Sequence, residues 1–176
     1  MVCMSLLLGA GCKSDINKIK APPASDIESK YQNATMDEKS PWQAYTVMDL
    51  KKEMRLRLPD EWTGEAPKWS PDEESKDYIR VAYFPNLGPA QQWEEQKTSD
   101  AHELISATEE GAGRYLLIAN YPSLNATKIK LFLSDLESGQ SSFFVECRIG
   151  YEDPENADIW NACKTAIESA EGYALR

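Results

Sequence analysis

At 176 residues with 41% hydrophobic side chains, the chain can bury one core of ordinary size and suits a single domain. Its 29 acidic and 19 basic residues leave a net charge of -10. No basic block is present to displace counterions from phosphates, which argues against nucleic acid as a partner.

The first element in chain order is an address. Met1 to Gly11 is a short apolar segment ending in small residues. It is too brief to span a bilayer and has the character of a secretory signal. Leu8-Gly9-Ala10-Gly11-Cys12 resembles the bacterial lipobox. In such signals the cysteine thiol takes a diacylglycerol, the preceding peptide is cut away, and the cysteine becomes the new N-terminus. Two features depart from that pattern: Gly9 stands where leucine is usual, and no Lys or Arg precedes the apolar run. Residues 12–41 read as the lipid-anchored cysteine and a flexible tether. The stretch is polar and carries Pro22, Pro23, Ser25 and Ser29, a composition that buries too little apolar surface to offset its ordering entropy. As a coil its ~27 residues would reach ~30 Å. Lys13 follows the cysteine where Asp would favour the inner membrane of enteric bacteria, so the resemblance points to the outer membrane. The expectation is a protein of the bacterial cell envelope, held to a membrane by lipid on Cys12.

Residues 42–176 read as one α+β domain. Met54-Arg55-Leu56-Arg57-Leu58 alternates with a period of two, predicting a strand with one buried face, stopped by Pro59. Gly64 to Lys76 reads as a loop and Tyr78 to Phe84 as a strand. Pro89 to Lys97 reads as a short helix anchored by Trp93. Ala101 to Glu110 is ambiguous between a capped helix and a strand. Three strands follow, Arg114 to Tyr121, Thr127 to Ser134 and Ser142 to Tyr151, the last two joined through Ser138-Gly139-Gln140. In the third, Phe143, Val145, Cys147 and Ile149 share one face, and Phe144, Glu146 and Arg148 the other. A final helix is predicted with Asp153 as N-cap, Pro154 in the first turn, a stripe of Ile159, Cys163, Ala166, Ile167 and Ala170, and Gly172 as its stop. It must fold back to bury that stripe on the sheet, giving an antiparallel β-sheet flanked by helices.

Cys147 and Cys163 both point into that strand–helix interface. Measured from the connection between them, Cys147 lies about 13 Å along its strand and Cys163 about 12 Å along its helix, so the sulfurs come out level. A disulfide is geometrically possible, and an envelope location permits one. The alternative is two buried free thiols acting as small apolar residues.

Little in the chain speaks for chemistry. The single histidine, His102, sits in a polar segment that predicts a surface position, and no Gly-x-Ser-x-Gly elbow occurs. No metal-ligand spacing, phosphate loop or calcium loop is present, so no cofactor and no metal is expected. Trp62 and Trp69 lie in the Pro-rich acidic loop. They either cover the open side of the core or form an exposed interaction patch, since tryptophan dominates binding hot spots.

Leu56-Arg57-Leu58-Pro59-Asp60-Glu61-Trp62 is similar to the opening strand and Leu-Pro-x-x-Trp turn of the PsbP-like and DcrB-like group. Gln140 to Tyr151, then Asp153 to Ser169, resembles the group's closing strand, acidic turn and last helix, with Ser169-Ala170 in place of its Ser-Phe pair. The resemblance implies an α/β/α sandwich. It also implies an envelope lipoprotein with a non-catalytic accessory or protein-interaction role and a protein partner in the envelope. The rival expectation is a small-ligand or metal-ion binding lipoprotein with an acidic or tryptophan-lined cleft. A carboxylate-dependent hydrolase comes third.

Overall fold

A computed structural model describes residues 19–135, 139–152 and 155–174. Cys12 and the signal-like segment lie outside the described residues.

The first described element overturns part of the tether expectation. Ala24–Asn33 forms a helix, α1. Ile27 and Tyr31, one turn apart, are 1% and 5% exposed and belong to the main core. A polar composition concealed them because two apolar residues at i and i+4 suffice to dock a short helix. Polar contacts fix the following chain as well. Thr35 N donates to Asn161 Oδ1 (2.7 Å), Asp37 N donates to Thr165 Oγ1 (2.9 Å), and the Pro22 carbonyl accepts from Asn120 Nδ2 (3.1 Å). The folded body therefore begins near Pro22 and not at residue 42.

Two antiparallel sheets follow. The smaller contains β1 (Trp42–Val47), β2 (Lys52–Arg57) and β10 (Glu171–Ala174), in the order β1-β2-β10. As the alternation predicts, Met54, Leu56 and Leu58 are buried while Arg55 and Arg57 face outward. Gly172 is not a helix stop. It pairs with Met54 inside β10, where a Cβ would sit 3.0 Å from the buried Phe143 ring.

The larger sheet holds seven strands in the order β3-β4-β5-β9-β8-β7-β6. These are β3 (Thr63–Glu65), β4 (Lys68–Ser70), β5 (Tyr78–Phe84), β6 (Glu103–Gly111), β7 (Arg114–Tyr121), β8 (Ala126–Ser134) and β9 (Ser142–Gly150). The expected loop after Gly64 thus contains a small hairpin, β3–β4. The ambiguous segment resolves as the edge strand β6, because pairing with β7 satisfies its backbone.

Two further helices complete the layers. α2 (Pro89–Lys97) matches its predicted bounds, with Pro89 in its first turn. α3 (Ala157–Ser169) starts later than expected. Asp153 and Pro154 lie outside the described residues, and the cap is Asn156, whose Oδ1 accepts from Asp158 N and Ile159 N. At the other end of α3, the Arg114 guanidinium donates to the carbonyls of Ile167 and Ala170, placing a cation where the helix dipole is negative. One face of the large sheet packs on α1, α3 and β2; the other carries α2 over a second cluster of Leu117, Ala119, Tyr121, Phe132 and Phe144. Helices thus lie on both faces of the antiparallel sheet.

Cys147 and Cys163 are joined by a disulfide that ties β9 to α3, with Cα atoms 5.7 Å apart. The approach is closer than an ordinary helix–sheet spacing because small residues, Ala162 and Ala166, line that side of α3.

Candidate functional site

The face of the sheet turned toward α2 is divided. Strand register builds it in cross-strand rows. Ala82, Phe144, Phe132 and Tyr115 form an apolar row. The next row runs Arg80, Glu146, Lys130 and Leu117, and the one after it Tyr78, Arg148, Lys128 and Ala119. α2 lies over β7 and β8 and covers the apolar part. Trp93 seals that cover, its indole Nε1 donating to the Leu116 carbonyl at 3.2 Å. Beyond α2 the charged rows come together.

Glu146 is the centre, 1% exposed. Arg80 Nε lies 3.0 Å and Lys128 Nζ 3.2 Å from its Oε1, and Lys130 Nζ is 3.9 Å from Oε2. Tyr78 donates its hydroxyl to Oε1 at 2.9 Å. Three cations therefore face one buried carboxylate, in a protein whose net charge is -10. Lys130 also donates to Gln96 Oε1 of α2 (2.6 Å) and to the Tyr121 hydroxyl (2.5 Å). Lys128 and Lys130 lie 4.9 and 4.8 Å from the Tyr121 ring centre, and His102 stacks on the same ring at 5.0 Å.

Burial sets the protonation of this group. It brings Lys130 down to about 8, with Lys128 and Arg80 lowering it further and Glu146 opposing. Desolvation, then the Glu146 charge, raises Tyr78 to about 12 and raises Tyr121 as well. His102 is held below its usual value, first by desolvation and then by Lys130. Both of its ring nitrogens are buried and lack a hydrogen-bond partner among the described residues, while the residue as a whole is half-buried. Arg148 is engaged elsewhere. It donates to the carbonyls of Lys76 and Leu124 and lies 3.6 Å from Asp77.

A cleft of about 240 Å³ opens between α2 and this cluster. Its floor is the sheet face, where Arg80, Lys130 and Glu146 adjoin Phe84, Phe132 and Phe144, with Gln92 and Gln96 of α2 above. Two cations, Arg80 and Lys130, and two carboxylates, Glu95 and Glu146, line it, and no tryptophan does. Among the described residues no group of three or more His, Cys, Asp or Glu could hold a metal.

The expected tryptophan patch is not assembled. Trp69 is 3% exposed and lies in the main core; Trp62 is half-buried and packs against it. The β3–β4 hairpin turns Trp69 inward by pairing it with Ile79 of β5. The exposed tryptophan is Trp42, at 44%, with the Arg57 guanidinium 4.3 Å from its ring centre.

No family model matches this chain, and no curated protein does either.

Sequence reasoning placed Phe144, Glu146 and Arg148 on one strand face but missed the cluster. A signal was present: Lys128-Ile129-Lys130 puts two lysines with period two into an otherwise apolar strand. Their meeting with Arg80 and Glu146 depends on the strand order β5-β9-β8.

Proposed function

We propose that the protein is a lipid-anchored protein of the bacterial envelope that works by binding and not by catalysis. The observation that carries this reading is the Cys147–Cys163 disulfide, a bond that forms and persists in oxidising compartments outside the cytosol. It supports the reading of Met1 to Gly11 as a secretory signal and of Cys12 as the acylated residue. With α1 docked, only residues 13–21 separate Cys12 from the Pro22 contact. At no more than ~3.5 Å per residue, the body then stays within ~35 Å of the anchor, suited to an accessory role beside a membrane-bound partner. The lone histidine, with no serine or carboxylate on either ring nitrogen among the described residues, lacks the orientation a nucleophile–base pair needs.

The test is fractionation with mass spectrometry of the native protein. The wild type is expected in the membrane fraction with acyl chains on Cys12, and Cys12→Ser in the soluble envelope fraction. An unmodified thiol on a freely washed protein overturns the reading. Crosslinking in intact envelopes followed by capture is expected to recover a specific protein partner.

The cleft favours a second reading within the same frame, that of a small-ligand binding lipoprotein. Holding two buried lysines and a half-exposed arginine against one carboxylate is costly unless further negative charge is supplied, and the cleft gives access to Arg80 and Lys130.

A further inference from the structure

We propose that the cleft between α2 and the sheet binds a small organic carboxylate, its acid group on Arg80 and Lys130 and its apolar body against Phe84, Phe132 and Phe144. The proposal rests on the small-ligand reading and names the ligand class.

Charge decides the sign of the ligand. Arg80, Lys128 and Lys130 all lie within 3.9 Å of the same carboxylate. One glutamate neutralises one of them, and the tyrosines alongside stay uncharged because their acidity is suppressed. At the cleft's rim Glu95 already accepts from the Gln91 amide at 3.0 Å. That bond leaves Glu95 charged, so Arg80, Lys128 and Lys130 together exceed Glu146 and Glu95 by one positive charge, in a partly dry setting where an attraction counts for more than in water. Arg80 has the planar fork that matches a carboxylate, and its side chain is 49% exposed, so it can turn toward the cleft. A cationic ligand would meet two cations at once.

Shape decides the rest. Phe132 and Phe144 pack 5.3 Å apart between ring centres, and Phe84 stands edge-on to Phe144 at 6.1 Å. They lie beside the charged row on the same face of the sheet. A volume of about 240 Å³ lies just below the ~300 Å³ at which drug-sized sites begin, which suits an aryl or short alkyl acid. Gln92 and Gln96 come from α2, and Gln92 is pinned through the Ser142 hydroxyl (2.8 Å), so the upper wall is preformed.

The test uses the full-length protein in detergent and four probes: phenylacetate, hexanoate, benzylamine and inorganic phosphate. Calorimetric titration and thermal shift read the binding. Phenylacetate and hexanoate are expected to bind and raise the melting temperature, with benzylamine and phosphate at least tenfold weaker. Lys130→Gln is expected to weaken phenylacetate at least tenfold. Phe84→Asp, at a position 38% exposed, is expected to do the same, and the circular dichroism of both variants checks that they fold. Benzylamine binding as tightly as phenylacetate overturns the anion assignment and leaves ligand binding standing. Silence from all four probes overturns both. Phenylacetate binding that survives both substitutions places the ligand elsewhere and overturns the site.

Discussion

Lys130 concentrates the physical chemistry of the charged face. Its ammonium sits among Glu146 of β9, Arg80 of β5, Lys128 of β8, Tyr121 of β7 and Gln96 of α2, with His102 beyond the tyrosine. In the unfolded chain a lysine holds its proton to about 10.4; here burial brings the value to about 8. Below pH 8 both states are protonated and the full cost of burying the charge is present. Between about pH 8 and 10 the unfolded chain binds more protons, so stability rises with pH. From about pH 9 upward Tyr31 and Tyr121, whose native acidity is suppressed, oppose the trend. Urea denaturation across pH 7–9 is expected to show a gain on the order of 1 kcal/mol for the wild type. Lys130→Met should flatten it, and an equal rise in that variant would refute the assignment.

At the scale of elements, α1 carries the main lesson. Ile27 and Tyr31 dock it against α3 and β6, and Lys30 reaches Glu155 at 2.6 Å. That exposed pair contributes little, so the docking depends on apolar burial. Ile27→Ala is expected to cost about 2–5 kcal/mol, measured by chemical denaturation, and to make the segment before Trp42 sensitive to protease. A change below about 0.5 kcal/mol would mean that α1 is only loosely held. The strands were far more legible: the alternation in β2 and the apolar runs of β5, β7, β8 and β9 mark them directly, since a half-buried sheet imposes a period of two. β3 and β4 were not legible. Three residues are too few for a period, and Gly64 within β3 sits at φ +114°, which no local pattern announces.

For the molecule as a whole, the Cys147–Cys163 bond links the last core strand to the last helix across 16 residues. Closing a loop of that length stabilises by about 3 kcal/mol. Cys163→Ala, or reduction of the wild type, is expected to lower the melting temperature by several degrees while near-UV circular dichroism stays native-like; no shift on full reduction would show that the bond adds nothing to stability. The sequence by itself determined β2, β5, β7, β8, β9, α2 and α3, and that Cys147 and Cys163 face one interface, because periodicity and composition act along the chain. It also carried the reading of Cys12 as an anchor, which depends on short-range recognition by processing enzymes and not on the fold. Only the tertiary structure decided that α1 joins the core, that Trp69 points inward, and that Arg80, Lys128 and Lys130 meet around Glu146. Each depends on which strands lie side by side, and strand order follows from the shared burial of distant faces, a property that no local stretch of sequence contains.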